Sequence, residues 1–240
     1  MIYAVGDIHG QLTMLEDALA WIEQDGGPSA QIVFMGDYTD RGPNSRGVLD
    51  VLIKGRDAGR NWTFLKGNHD RMFTWFLEPI ARHDPQLFLE YTWYHERLGG
   101  QRTLESYGVH FKGRRRFGDV HGDARRLVPQ AHIDFLNDTV LTFETDEFFF
   151  VHAGVRPGVA FKDQVENDLL WIRQGFVDHN GTYQKWIVHG HTALDHPTRY
   201  INRTNTDGGA GYGRPLYPVV FDGSDSWMLT GSGRQALPDG

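Results

Sequence analysis

Short apolar segments alternate with amphipathic segments over the first third of the chain. Apolar runs cover residues 2–5, 31–35 and 62–65, and each leads directly into a glycine or a Lys-Gly pair. Between them, Leu12, Leu15, Leu19 and Ile22 recur at helical spacing, and a second amphipathic helix is predicted from Ser45. Strand, loop and helix in repetition predict an α/β fold with parallel strands and right-handed crossovers.

The rest of the chain divides into two parts. Residues 71–126 are rich in Trp, Tyr, Phe and Arg and predict helices without buried strands, which we interpret as a cap-like insertion within one domain of residues 1–240. Further strands are predicted at 140–143, 148–151 and 185–188. Residues 199–206, 216–221 and 227–229 predict a closing β-meander, followed by a frayed tail from Gly231.

Composition limits the classes of function. The chain has 240 residues, 40% of them hydrophobic, which is enough for one domain with a real core. It has no cysteine, so disulfides and thiolate metal ligands are excluded. The net charge of -7 argues against a dedicated nucleic-acid binder. No signal peptide and no long apolar run are present, so we expect a cytoplasmic protein without membrane contact, and its oligomeric state stays open.

Five polar clusters each follow a predicted strand. In an α/β sheet the carboxyl ends of the strands form the crevice where ligands bind, so clusters far apart in sequence can meet there. The clusters are GDIHG at 6–10, GDYTDRG at 36–42, GNHD at 67–70, HAG at 152–154 and HGHT at 189–192.

These clusters contain metal ligands. Carboxylate, amide and imidazole groups without sulfur suit manganese, iron or zinc better than calcium. Six ligands exceed what one catalytic ion takes, so we expect two ions, with Asp37 placed to bridge them. Such a pair clamps the oxygens of a phosphoryl group and supplies hydroxide at neutral pH. The ligand candidates are Asp7, His9, Asp37, Asn68, His152 and His191.

The five clusters, in this order, resemble those of the PPP-type (calcineurin-like) metallophosphoesterases. The likeness is greatest to the bacterial and phage-type serine/threonine phosphatases and to the symmetric diadenosine tetraphosphatases. It extends from Gly6 to about Asp222, apart from the insertion. The resemblance implies a two-sheet β-sandwich flanked by helices, with a small helical cap and two divalent ions, manganese first.

The resemblance also implies residue roles. Asp7, His9 and Asp37 would hold the first metal, while Asp37, Asn68, His152 and His191 would hold the second. His69 would be the general acid, oriented by Asp40, whose carboxylate we expect to raise the pKa of His69. The phosphate would be bound by Arg41, Arg173 and Asn68. Lys66 stands where the phage-type enzymes carry an arginine, and its role stays open.

The predicted reaction is hydrolysis of phosphate monoesters, with phosphoserine or phosphothreonine as the leading substrate class. The alternative is symmetric hydrolysis of a dinucleoside polyphosphate, because Asp70 and Ala153 resemble the tetraphosphatases, whereas Asp40 resembles the protein phosphatases. A non-catalytic phosphate-binding module is a remote third hypothesis. The expected partner is a phosphoprotein or a small phosphoester.

Several other features favour structural roles. GDVHG at 118–122 repeats the first cluster but follows arginines and not an apolar strand, so we do not expect it to bind metal. His189 is interpreted as a supporting residue. A basic group is interpreted as a solvated surface, with attraction of an anionic substrate as the alternative; its members are Lys112, Arg114, Arg115, Arg116, Arg125 and Arg126. An aromatic group is interpreted as packing within the segment, with stacking of a nucleobase as the alternative; its members are Phe73, Trp75, Phe76, Phe88, Tyr91, Trp93 and Tyr94.

Overall fold

The computed structural model describes residues 1–240 as two β-sheets flanked by helices, which confirms the predicted fold class. The strands are β1 (Ile2–Val5), β2 (Ile32–Phe34), β3 (Trp62–Phe64), β4 (Thr142–Glu144), β5 (Phe148–Val151), β6 (Trp186–His189), β7 (Thr198–Arg199), β8 (Arg203–Asn205), β9 (Val219–Asp222), β10 (Asp225–Thr230) and β11 (Gly233–Ala236). The helices are α1 (Leu12–Gly26), α2 (Ser45–Asp57), α3 (Asn68–Leu77), α4 (Gly100–Ser106), α5 (Phe117–Leu127), α6 (Gln130–Asn137) and α7 (Glu166–Trp171).

The two sheets differ in strand order and direction. The first sheet has the order β11-β10-β9-β1-β2-β3, and its strands β1, β2 and β3 are parallel. The second has the order β4-β5-β6-β8-β7, with β5, β6 and β8 parallel. Both sheets therefore direct the carboxyl ends of their central strands toward loops that can carry a site.

Side chains alternate between the two faces of each strand, as a pleated strand requires. Ala4 of β1 and Phe150 of β5 share a core of nine buried residues drawn from both sheets. Val5 faces the opposite way, into a core of 29 residues beneath the helices. The predicted apolar faces of α1 and α2 are buried in this larger core.

The segment 71–126 is continuous with the larger core. Helix α3 begins at Asn68, before this segment, and no helix lies between Leu77 and Gly100. Trp93, Leu104 and Val120 are all buried in the same core as the helices on the first sheet. The segment thus reaches the site region as part of the domain's packed interior.

Two expectations about the end of the chain are wrong. The predicted meander is divided between the sheets, because β7 and β8 join the second sheet while β9 and β10 join the first. The tail after Gly231 is not frayed, since β11 pairs with β10 and Arg234 forms an ion pair with Asp25 at 2.7 Å. No helix combines the length and apolar character needed to cross a membrane.

Candidate metal centre and active site

The five predicted clusters follow β1, β2, β3, β5 and β6, and the structure brings them together although they come from both sheets. Two groups of three side chains each place their potential ligand atoms within 4.8 Å of one another, and Asp37 belongs to both groups. One group is His9, Asp37 and His69, and the other is Asp37, His152 and His191. The shared position of Asp37 is the one expected of a bridging carboxylate.

Distances around Asp37 define the centre. Its Oδ2 lies 3.5 Å from Nε2 of His9, and its Oδ1 lies 3.5 Å from Nε2 of His152. Asp7 extends the centre on one side, with Oδ2 at 4.0 Å from Nε2 of His9. Asn68 extends it on the other, with Oδ1 at 2.9 Å from Nε2 of His152.

The histidine rings have the orientation that metal ligands need. Nδ1 of His9 donates to the carbonyl of Thr39 and Nδ1 of His152 to that of Met35, both at 2.8 Å. Each Nε2 therefore carries a lone pair that faces the centre. In metal-binding histidines the hydrogen bond of the other ring nitrogen fixes the tautomer in this way. Nε2 of His191 is buried without any hydrogen-bond partner. These residues fit a pair of divalent cations.

Burial makes the charges of this centre unfavourable without cations. Burial and the charge of Asp207 raise the pKa of Asp7 well above its usual range, and burial and Asp70 do the same to the pKa of Asp37. Burial lowers the pKa of His9 and of His191. Because metal ligands must be deprotonated, bound cations would favour carboxylate and neutral imidazole together.

Backbone strain is concentrated in the predicted site. Five non-glycine residues have positive φ, and each belongs to the site predicted from the sequence. Such conformations persist only where the surrounding structure enforces them, and they occur often at functional sites. The five are His9, Asp37, Asp40, Arg41 and His191.

His69 and Asp40 form a buried pair, with Nδ1 of His69 at 2.7 Å from Oδ2 of Asp40. Burial raises the pKa of Asp40 to about 7. The expected rise in the pKa of His69 is wrong, because burial and the neighbouring Arg41 guanidinium lower it well below its usual value. In the protein without cations the imidazole is therefore neutral, and the contact with Asp40 fixes its orientation.

Both predicted phosphate-binding arginines lie at the centre. Arg41 places Nη1 at 2.9 Å from Nε2 of His9 and Nη2 at 3.4 Å from Nε2 of His69. Its guanidinium also lies 4.8 Å from the centre of the Tyr212 ring. Nη2 of Arg173 donates to the carbonyl of His191 at 3.1 Å. These cations stand where an anionic substrate would meet the metal ligands.

The sequence did not reveal three polar residues of the centre. Trp93 and Thr103 donate hydrogen bonds to Asp40. Trp93 lies in the stretch without helices between α3 and α4, and Thr103 follows it in α4, so no sequence pattern indicates these contacts. Asp207 is buried, and its charge acts on Asp7. A signal for Asp207 existed, because Asp-Gly-Gly follows a predicted strand as the other clusters do.

Asp70 supports the loops of the site. Its Oδ2 accepts the N–H of Gly67 at 3.1 Å, at the start of α3, and its Oδ1 accepts the N–H of Tyr38 at 3.0 Å. Lys66 lines a cleft of about 330 Å³ together with Arg71 and Trp75. Neither residue therefore identifies the substrate.

The features interpreted as structural lie outside the ligand cluster. The repeated GDVHG sequence lies in α5, where Nε2 of His121 contacts the carbonyl of Glu78 at 3.0 Å. His189 packs edge-on against Phe176 and its Nε2 has no partner. Most of the basic group is exposed, with Arg115 and Arg126 paired to Asp123. Of the aromatic group, Phe73, Phe76 and Trp93 are buried and Phe88 is exposed.

Buried aspartates and histidines gathered at the strand ends of a two-sheet sandwich are the arrangement expected of a metal-dependent hydrolase of phosphate esters. The profile of the calcineurin-like phosphoesterases matches residues 1–212, and the chain belongs to this family. It is therefore a phosphoester hydrolase, and the family resemblance inferred from the sequence is confirmed.

Relatives and solved structures agree with this assignment. An asymmetrical bis(5'-nucleosyl)-tetraphosphatase PrpE of Geobacillus thermodenitrificans is 26% identical over 228 residues, covering 90% of this chain and 89% of the relative. A protein described as a candidate diadenosine tetraphosphatase has a TM-score of 0.63 at 19% identity, covering 95% of this chain and 92% of its own. A cold-active protein-tyrosine phosphatase of a psychrophilic Shewanella has a TM-score of 0.65 at 16% identity, covering 98% and 80%. These two structures support the fold alone.

Proposed function

We propose that this enzyme hydrolyses phosphate monoesters with alkoxide leaving groups, and that phosphoserine and phosphothreonine in proteins are its main substrates. The 2.7 Å contact between His69 and Asp40 carries this proposal. With Nδ1 held by Asp40, Nε2 of His69 points toward the guanidinium of Arg41, where the ester oxygen of a bound phosphate would lie. An alkoxide is a strong base and leaves readily only when a general acid protonates it. His69 can act as that acid only when its Nε2 carries a proton, and the negative charge of a bound phosphate would raise the pKa of His69 from the low value that burial and Arg41 give it.

The remaining residues of the centre hold cations and substrate. We propose that Asp7, His9 and Asp37 hold one divalent cation, and that Asp37 shares the second with Asn68, His152 and His191. When bound, the two cations, with manganese as the first candidate and iron or zinc as alternatives, neutralise phosphate charge and lower the pKa of water. Arg41 and Arg173 supply further positive charge for the phosphate, and we assign Asn68 to the same contact.

A second candidate substrate is a dinucleoside polyphosphate. The name of the Geobacillus relative, which matches this chain over 89% of its own length, favours this substrate. The Tyr212 ring favours it as well, because it is 63% exposed beside Arg41 and offers a stacking surface to a nucleobase. The leaving group would then be a nucleoside phosphate, a much weaker base than an alkoxide, which depends less on a general acid. Membership of a hydrolase family argues against the non-catalytic module.

A comparison of two substrates tests the proposal. Manganese-loaded enzyme and the His69→Asn variant would be assayed on a phosphoserine peptide and on diadenosine tetraphosphate. We expect the wild type to prefer the peptide, and the variant to lose about 10²–10⁴-fold on the peptide and much less on the dinucleotide. Full activity of the variant on the peptide would contradict the assigned acid. Hydrolysis of the dinucleotide alone would establish the second candidate instead.

A further inference from the structure

Asp40 also accepts hydrogen bonds from two residues of the segment 71–126. Nε1 of Trp93 donates to Oδ2 of Asp40 at 2.8 Å, and Oγ1 of Thr103 donates to Oδ1 at 2.8 Å. The N–H of Asp40 in turn donates to Oγ1 of Thr103 at 2.7 Å. Together with the hydrogen bond from His69, the buried carboxylate accepts hydrogen bonds from three side chains, so both of its oxygens are held in place.

The Trp93 donor is itself held in place by packing. Its side chain is buried, and its ring lies 5.0 Å from the rings of both Phe73 and Phe76. Gly100 fits under the same indole, because a Cβ there would come within 2.7 Å of the Trp93 ring. An indole packed in this way presents its N–H in one direction only.

The same segment also holds the backbone of the turn that carries Asp40 and Arg41. Both residues are in the left-handed region, with φ of 75° and 64°. The carbonyl of Gly99 accepts the N–H of Arg41 at 3.2 Å, and a Cβ on Gly99 would lie 2.3 Å from that nitrogen. A turn of this kind costs conformational energy and needs such enforcement.

We infer that Trp93 and Thr103 are positioning residues of the reaction, which fix the Asp40 carboxylate and thereby aim Nε2 of His69 at the leaving oxygen. The inference rests on the proposed role of His69 as the general acid. It assigns to a segment without metal ligands a direct influence on proton transfer. The inference predicts a selective effect on rate. Loosening Asp40 should slow hydrolysis of esters whose leaving group needs a proton, and should change little the hydrolysis of esters with good leaving groups.

The test uses Trp93→Phe, which keeps the ring and removes the N–H, and Thr103→Val, which keeps the shape and removes the hydroxyl. We expect each to lose about tenfold in kcat/KM on a phosphoserine peptide and less than about twofold on p-nitrophenyl phosphate. Thr103→Ser, which retains the hydroxyl, should restore activity. Trp186→Phe is the matched control, because it removes an indole hydrogen bond to Thr204 at 2.9 Å, at the far end of β6 from His191.

A double-mutant cycle separates positioning from a general structural effect. In the His69→Asn background, Trp93→Phe should cause no further loss on the peptide, because the group it positions is gone. Equal losses on both substrates, or additive losses in the double variant, would overturn the inference while leaving the acid assignment intact. If His69→Asn itself affects both substrates equally, the acid assignment fails and the inference fails with it. Thermal unfolding of every variant would verify that the fold is retained.

Discussion

Oδ1 of Asn68 lies 2.9 Å from Nε2 of His152, although the two residues are 84 positions apart in the chain. Nδ1 of His152 is committed to the carbonyl of Met35, so its Nε2 carries a lone pair and no proton. The Asn68 amide and the unprotonated ring nitrogen of His152 thus lie close enough in a buried space to bind one cation together. This makes the Asn68–His152 pair a direct structural argument for a metal.

Removing metal should therefore destabilise the fold. Without cations, burial disfavours the charged forms of Asp7 and Asp37 and the nearby Arg41 offsets this only in part, whereas bound cations stabilise the folded state by mass action. We expect a chelator to lower the melting temperature by about 5–10 °C, and added Mn²⁺ to restore it. Differential scanning calorimetry with and without chelator is the measurement.

Metal analysis of variants provides the control for this prediction. His191→Ala should retain one metal ion fewer per chain than the wild type, because its unpartnered Nε2 is removed. The double variant Asp119→Asn, His121→Ala alters the repeated GDVHG sequence in α5 and should retain the full metal content. Loss of metal in the α5 variant, or none in His191→Ala, would contradict the assigned ligands.

Replacing Arg41 by Lys should raise KM for a phosphomonoester by about tenfold or more. The guanidinium reaches two ring nitrogens at once, and a lysine ammonium cannot reproduce this planar fork. Steady-state kinetics would measure the change. Arg214→Lys is the control, since Arg214 follows Tyr212 in the same loop but pairs with Asp195 at 2.9 Å. An unchanged KM for Arg41→Lys would exclude phosphate binding by this residue.

Asp207→Asn should weaken metal binding about 10–100-fold, the usual effect of changing a group that supports a ligand. The carboxylate is buried, it accepts the N–H of Gly209 at 2.9 Å, and its charge acts on Asp7. Competition with a fluorescent chelator would give the affinity. Asp195→Asn, an exposed change in a neighbouring loop, should have no effect. Equal affinities for wild type and Asp207→Asn would show that Asp207 serves only the loop.

His132 should make stability depend on pH independently of the metal centre. Burial lowers its pKa below 6.5 in the folded protein, while contacts with Asp50 act in the opposite direction. The unfolded chain therefore binds the proton more tightly, so its contribution to stability is present above pH 6.5 and is lost as the pH falls below it.

Urea unfolding at several pH values would measure this effect. The advantage of the wild type over His132→Gln in unfolding free energy should shrink between pH 7 and pH 5. Asp50→Asn removes the group that raises the pKa of His132, so its stability should fall more steeply with acid than that of the wild type. A constant difference between wild type and His132→Gln would mean that His132 does not titrate differently on folding.

The fold could be predicted where local pattern and tertiary packing agree. Strands β1 and β2 and helix α2 follow apolar runs and helical spacing that lead directly into the two main cores. The prediction of a closing meander was wrong because the spacing of strands along the chain does not indicate which sheet each strand joins. Strand β11 was missed because its residues are mostly exposed, so its sequence has no apolar pattern.

The proposed metal ligands could be identified from the sequence because each follows a strand and has a side chain suited to coordination. Strand ends and side-chain type cannot identify a residue that an irregular loop brings to the site. Trp93 is such a case, since it is 53 residues from Asp40 and the sequence offered only packing or nucleobase stacking as its role. The protonation of His69 also escaped prediction, because it depends on how completely the ring is buried, which no local sequence pattern shows.

The position of β1 between β2 and β9 has a consequence during synthesis of the chain. Its partner β2 emerges from the ribosome within a few tens of residues, but the other edge of β1 stays uncovered until residue 219 has been made. An apolar strand with an open edge is prone to pair with other chains. The nascent protein must therefore avoid aggregation through most of its translation, and the last of its proposed metal ligands is added only at residue 191.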